Sequence, residues 1–411
     1  MQGRSTAVPV ADGPGTALPA LVRRPYVAVL AIWTVWAGAV VATVVIGITA
    51  GAYDRAKSVP GTQLFPFFSW DFGWYEGIAQ HGYAAVADRR YAFFPLWPWL
   101  IRASGSIADW QVAGAVTLAA SALAFLGVAA GSPAGRPRQA ALALACWPGS
   151  FALLLAYPDG LALAAAAWAA ALVLRERPLL AVPLGAAAAL LRPNGLLIAL
   201  PLAWLARGKD WRYKLAAATP VAAALAVELF FWTRSGHVDA FFHAQRLWGR
   251  RGPTGVGHWA GHVRDRVDAN TLPVAILLVV AVAAIVITWR RFGPLTTAAV
   301  VYVCAVPLLL ASTHDLQGFV DSARCALVLP LLVVLWLMGE RYRPWAAFAT
   351  VVVALLLGSG LMQSFGRQSL YAFPIFWAIG EGPAWLRRPP LAVLGFAANL
   401  GIALLLTRFA P

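Results

Sequence analysis

Along most of the chain, apolar residues follow one another without the alternation that marks a half-exposed strand or an amphipathic helix. Polar residues are confined to short breaks between the runs. The runs cover 27–51, 110–130, 140–156, 161–174, 179–191, 195–206, 215–232, 272–289, 295–312, 326–338, 345–362, 370–385 and 391–407. Each is apolar all round, the pattern of a helix surrounded by protein or lipid. A helix needs about 20 apolar residues to cross a bilayer, so the shorter runs put the tally at about 11–13 crossings. The pattern predicts an all-α polytopic membrane protein. The first run follows Arg23-Arg24 and is too long for the apolar core of a cleaved leader, although Ala50-Gly51-Ala52 has the small residues of a cleavage site. It reads as a retained helix with its N-terminus in the cytoplasm. Residues 1–24, rich in Pro, Gly and Ala, read as a disordered tail. Residues 25–411 read as one transmembrane domain, with large extracytoplasmic loops at 52–108 and 233–271.

Composition sharpens this. Of 411 residues, 61% are hydrophobic and 12% are charged, about half the roughly 25% charged that soluble domains carry. Lys+Arg 32 against Asp+Glu 17 leaves a net charge of +15, but the excess forms no stripe that a nucleic acid could follow. It falls in clusters between the runs: Arg136 with Arg138, Arg175 with Arg177, 207–214, Arg290-Arg291, Arg341 with Arg343, and Arg387-Arg388. Cytoplasmic loops collect Lys and Arg in this way. Membrane lipids, and no nucleic acid, are the expected surroundings, and the Ala-, Gly-, Pro- and Arg-rich usage suits a GC-rich bacterial genome and its plasma membrane. Cys146, Cys304 and Cys325 have no metal-ligand spacing and read as small packing residues.

When the chain is threaded from an inside N-terminus, every basic cluster lands in the cytoplasm. The opposite breaks gather Asp71, Glu76, Asp159, Arg192-Pro193-Asn194, Arg246 and His314-Asp315. Ionisable groups among apolar helices are costly and mark function, so their gathering on one face predicts an extracytoplasmic site. The breaks at Pro158 and Pro193 need protein or a wet cavity around them. The two halves show no internal repeat of the transporter kind.

The densest stretch is Trp70-Asp71-Phe72-Gly73-Trp74-Tyr75-Glu76, continuing to Tyr83 and followed by an apolar, Pro-containing segment at 92–98. It reads as a short amphipathic helix at the membrane interface and a wedge too Pro-rich to span. Asp71 either caps this helix or carries chemistry. Glu76, five residues on, points more than a quarter turn away from it. Arg192 and Asn194 either mark a helix break or bind phosphate and sugar hydroxyls. Asp159 is either a cap after Pro158 or a site acid. His258 and His262 have the i,i+4 spacing of zinc ligands, but Gly252, Pro253, Gly255, Gly257 and Gly261 make that segment a loop, and no metal is expected there.

Trp-Asp-x-x-Trp-Tyr-x-x-Ile-Ala-x-x-Gly-Tyr over 70–83 and Ala-Phe-Phe-Pro-Leu-x-Pro over 92–98 resemble the first-loop motifs of PIG-V-like mannosyltransferases, which add the second mannose of GPI anchors. Tyr157-Pro158-Asp159-Gly160-Leu161 resembles the family's Tyr-x-Glu-x-Leu, with Asp in place of Glu. Arg192-Pro193-Asn194-Gly195 is similar to its Arg-x-Asn-Gly, and 241–249, with Ala244-Gln245-Arg246 and Trp248, to the long later loop of bacterial relatives. Asp321-Ser322-Ala323-Arg324 with Pro330 matches loosely an Arg-aromatic…Pro element, Cys325 standing where the aromatic belongs.

The resemblance implies a GT-C-type glycosyltransferase fold whose long first extracytoplasmic loop carries short interfacial helices. It also implies inverting transfer of mannose from polyprenyl-phosphate-mannose to a lipid, glycan or protein acceptor. In that chemistry Asp71 is the general base for the acceptor hydroxyl. Arg192, Asn194, Arg246, His314 and Arg324 would contact the donor's phosphate or sugar, arginine's planar fork being suited to phosphate oxygens. Trp70, Tyr75, Glu76 and Asp159 would support the base or contact the acceptor. A β-linked donor and an α-linked product need one displacement and one carboxylate, with no cofactor; a divalent metal between Asp71 and Glu76 is a further option, not the expected one. The competing class is a lipid-linked sugar transporter or flippase, which would place its polar groups near the bilayer midplane rather than at one rim.

Overall fold

A computed structural model describes residues 18–53, 65–83, 88–103, 108–249, 316–358 and 364–404, without the side chains of 18–24 and 316–323. The expectations for residues 1–17, for His258, His262, Cys304, His314 and Asp315, and for the runs 272–289 and 295–312 lie outside the described residues. Among the described residues the chain is helical, with no strand. In chain order the helices are α1 (Leu18–Thr49), α2 (Asp71–His81), α3 (Leu96–Arg102), α4 (Asp109–Ala130), α5 (Pro137–Ala145), α6 (Asp159–Leu174), α7 (Pro178–Leu191), α8 (Ala199–Leu205), α9 (Trp211–Ser235) and α10 (Ala240–Leu247). Past residue 315 come α11 (Leu316–Leu337), α12 (Arg343–Gly358), α13 (Phe365–Gln368), α14 (Pro374–Glu381) and α15 (Pro389–Leu404).

Among the described residues, three helices are long and apolar enough to cross a membrane: the Pro25–Thr49 part of α1, α4 and α9. Shorter apolar helices, α6, α7 and α15 among them, fill in around these. Among the described residues, the apolar runs 140–156 and 370–385 do not form single helices, and proline is the reason in both. Residues 140–156 divide into α5 and a 3-10 turn at Ser150–Leu154, because Pro148-Gly149 ends the helix. Residues 370–385 divide into a turn at Ser369–Ala372 and the eight-residue α14, which opens on Pro374. At the other end of the chain, α1 starts at Leu18, so 18–24 of the stretch read as a tail is helical; Pro19 falls in its first turn, where proline is tolerated, and Pro25 lies inside it.

The packing follows from small side chains. Ala162, Ala164–Ala167 and Ala169–Ala171 of α6 are all buried and let α4 and α7 come close on either side. α7 in turn packs on α9, where Gly185 faces Pro220. The broken segment after α5 is satisfied internally: the Asn399 carboxamide oxygen of α15 accepts from Phe151 N (2.9 Å) and Ser150 Oγ (3.2 Å), and Ser150 Oγ accepts from Trp36 Nε1 (3.1 Å). Irregular backbone among apolar helices needs such partners. Aromatic contacts hold the segments around α2 and α3 to α9: the Phe231 ring centroid lies 5.2 Å from Tyr83, 5.3 Å from Tyr91 and 5.9 Å from Phe94. Such pairs contribute about 0.5–1.5 kcal/mol each beyond their burial. At another point the Glu381 carboxylate accepts from Ser132 Oγ, Ala134 N and Tyr342 OH, joining the α4–α5 and α11–α12 connections to α14.

Candidate functional site

The sequence reading leaves Asp71 as cap or reagent, and the structure separates the two. Asp71 is the first residue of α2; the capping position is Trp70, and no side chain caps there. The Asp71 N–H, left over at the helix start, donates instead to Tyr157 OH at 3.2 Å, and Tyr157 OH donates to Ser69 O at 2.8 Å. The two strips before α2 and α6 are also joined by Ala156 N to Phe67 O at 2.9 Å. Trp70 holds φ 55° and ψ −114°, a conformation bulky residues avoid. Strain of that kind costs about 1–3 kcal/mol and collects at functional sites.

Released from capping, the Asp71 carboxylate pairs with a residue almost at the other end of the chain. Its Oδ2 accepts from Arg367 Nη1 at 2.9 Å. The Arg367 guanidinium also lies 4.9 Å from the Tyr157 ring centroid, in cation–π range. A second pair stands beside the first: Arg192 Nη2 to Asp159 Oδ1 at 3.0 Å, with Arg192 Nη1 donating to Tyr75 OH at 3.3 Å. Tyr371 OH is 3.5 Å from both Asp159 Oδ1 and its carbonyl. Asp159 is therefore not a side-chain cap of α6 either. Arg192 marks the helix break, ending α7 in extended backbone, and its side chain enters the cluster. Gly195 of the same motif is needed because a Cβ there would run into the Ala188 carbonyl, where the 193–198 turn folds back on α7.

Burial grades the cluster. The Asp159 side chain is 1% exposed, Arg367 6%, Arg192 12% and Asp71 28%, so Asp71 is the member that faces outward. Among the described residues, the buried atoms Asp159 Oδ2 and Arg367 Nε have no hydrogen-bond partner. Burial, opposed by Arg192, pushes the Tyr75 phenol well above its ordinary value, so it stays a neutral hydroxyl. From Trp70, the residue before Asp71, an open groove of about 310 Å³ runs along α2, lined by Trp70, Gly73, Trp74, Gly77 and Arg90.

Asp71, Tyr75, Asp159 and Arg192 are thus brought together, and Trp70 borders them. The other sequence candidates stand elsewhere. Glu76 faces Asp109 rather than Asp71, and burial and then Asp109 raise its carboxyl above the usual value. Asn194 sits half-buried in the 193–198 turn, outside the hydrogen-bonded cluster. Arg246 pairs with Asp239 at 2.7 Å on an exposed surface, and that bond holds the Asp239 carboxyl below its usual value. Arg324 is 4% exposed and donates from Nε to Pro148 O at 3.0 Å; it lies against Gly366 and so supports the helix that carries Arg367. Among the described residues, no three His, Cys, Asp or Glu side chains gather as a metal group.

Sequence reasoning missed Arg367 and Tyr371 and gave Tyr157 no role. A signal for Arg367 was present: Gly366-Arg367-Gln368-Ser369 is a lone charge between two apolar runs, in the same set of breaks as Asp71 and Arg192. Tyrosines within apolar runs give no such signal. Compared with known proteins, the chain matches no family model and no curated protein.

Proposed function

We propose that the chain is an integral-membrane, inverting glycosyltransferase of GT-C type that moves mannose from polyprenyl-phosphate-mannose to a lipid, glycan or protein acceptor at the extracytoplasmic face. The observation that carries this reading is the setting of Asp71. It is the outward member of a four-charge cluster, fixed by Arg367 at 2.9 Å, and Trp70 just before it lines an aromatic groove.

In this mechanism the acceptor hydroxyl gives its proton to Asp71 as its oxygen bonds to the anomeric carbon. The bond from that carbon to the phosphate oxygen breaks, and its electron pair leaves with the polyprenyl phosphate. Arg367 orients the carboxylate, and a fixed base in a defined rotamer is what general-base catalysis needs. The developing phosphate charge calls for cationic donors. Arg192, which stands in the Asp71 cluster, is the first candidate; Asn194, Arg246 and His314 follow on sequence grounds alone. The resemblance of 70–83 and 92–98 to PIG-V-like enzymes supports mannose as the sugar.

The test is to incubate membranes containing the protein with labelled polyprenyl-phosphate-mannose. Label passing to a new lipid, glycan or protein is the expected result, and Asp71→Asn abolishes it while the protein still inserts and folds. Label crossing the bilayer unchanged would speak for a flippase, and undiminished turnover in Asp71→Asn would remove the assigned base.

A further inference from the structure

Helix α2 has two faces. Phe72, Tyr75 and Ile78 are buried against the core, and Trp70, Gly73, Trp74 and Gly77 follow the i, i+3, i+4, i+7 spacing along the groove. Among the described residues, nothing packed against the two glycines explains them. Both lie in a right-handed helix, where glycine is a poor choice beside alanine. Neither has positive φ, and a Cβ on either would meet nothing within 4 Å. Packing and backbone geometry therefore allow a side chain at both positions, yet the helix surface is left bare. The bare strip is the floor of the 310 Å³ groove, whose walls are two indoles and a guanidinium. That volume is at the lower end of ligand pockets, enough for one ring-sized group. Trp74 is held in plane by stacking on Phe93 (5.8 Å, 9°) and by an edge contact with Trp248 (5.3 Å). Arg90 donates one N–H to Gly82 O at 2.8 Å and has no carboxylate partner among the described residues.

We infer that this groove is a saccharide subsite for an anionic glycoside: a pyranose ring lies over the Gly73–Gly77 strip against Trp70 and Trp74, and a phosphodiester or similar anion of the same molecule pairs with Arg90. The chemistry follows from the walls. The axial C–H bonds of a pyranose carry partial positive charge and suit the negative face of an indole. A guanidinium fork with donors to spare suits phosphate oxygens. Trp70 precedes Asp71 in the chain, so a sugar held here lies against the residue next to the proposed base. Its role as the acceptor subsite rests on the transferase reading above; binding itself does not require turnover.

The test uses the full chain in detergent with two probes. One is octyl α-mannopyranoside carrying a diazirine on the first alkyl carbons; the other has a phosphodiester between sugar and chain. Captured probe is mapped by peptide mass spectrometry, and acceptor and donor KM are measured separately. Wild type and Asp71→Asn are expected to capture both probes on 70–77. Gly77→Leu, which fills the groove, is expected to lose capture at least tenfold while its melting temperature holds or rises, the opposite of what a structural glycine would give. Trp74→Ala loses capture of both probes, and Arg90→Gln loses only the phosphodiester probe. Capture that maps elsewhere, or survives in Gly77→Leu, overturns the subsite; equal loss of both probes in Arg90→Gln overturns the anion contact. If wild type captures probe but transfers no mannose, the transferase reading falls and the subsite stands. If Asp71→Asn is inert while Gly77→Leu keeps wild-type capture and acceptor KM, the subsite falls and the transferase reading stands.

Discussion

The Asp71–Arg367 pair is asymmetric, and the asymmetry can be measured. Asp71→Ala leaves the Arg367 guanidinium, 6% exposed, without its counter-charge. Removing one partner of a buried pair costs about 3–5 kcal/mol, because the remaining charge can neither hydrate nor leave. Arg367→Met fills a similar volume and leaves the Asp71 carboxylate, 28% exposed, within reach of water. The cost is then about 1–2 kcal/mol, the low end of a hydrogen bond to a charged group, since water replaces the guanidinium. The double variant Asp71→Ala/Arg367→Met buries no lone charge, so its cost is below the sum by a coupling of about 0.5–3 kcal/mol. Denaturant titration of the solubilised protein, read from midpoint and slope, gives the three values. Arg367→Met as destabilising as Asp71→Ala, or a double variant additive within about 0.5 kcal/mol, would show that the pair is not formed as described. Asp71→Asn, whose amide oxygen still accepts from Arg367, is milder than the alanine variant and suits activity work.

Three further outcomes are expected. Arg192→Gln leaves Asp159, 1% exposed, without its ion-pair partner and, among the described residues, with the Tyr371 hydroxyl at 3.5 Å as its remaining side-chain hydrogen bond; it costs about 3–5 kcal/mol in the same titration, and a loss under about 1 kcal/mol would contradict the buried pair. Tyr157→Phe removes the hydroxyl bridging Ser69 O and Asp71 N; it costs about 1–2 kcal/mol and, by loosening Asp71, lowers kcat more than it raises KM, so wild-type kcat would deny Tyr157 a positioning role. Glu76, whose carboxyl is raised above 4.5 by burial and then by Asp109, resists ionisation in the folded chain. Its stabilising contribution is present below its unfolded value and is lost as pH rises through the raised folded value. Glu76→Gln therefore melts above wild type near about pH 8 and converges with it near about pH 4, whereas parallel melting curves would refute the burial argument.

What could be read in advance follows the range of the interactions. Helical character and the separate short helix beginning at Asp71 are local, set by runs of apolar residues and their interruptions. Asp71, Asp159 and Arg192 stood out because charges among apolar helices are rare. Their pairing was not legible, since Arg192 meets Asp159 and Asp71 meets Arg367 only once α6, α7 and α13 have packed. The interruptions at Pro148 and Pro374 lay within runs whose composition promised unbroken helix, and only the partners of the freed backbone, such as Asn399, show how the breaks are sustained. Arg324 and Arg246 look alike in one dimension; one is sealed behind Gly366 and the other lies on an open surface.

The Asp71–Arg367 contact spans 296 positions. A ribosome adding about 5–20 residues per second takes roughly 15–60 s to cover that interval. Throughout it the carboxylate has left the exit tunnel while its cation has yet to be synthesised. A growing chain therefore lacks the finished charge cluster until its last segments are in place, and nascent products that stall before α13 carry an orphaned acid as a mark of incompleteness.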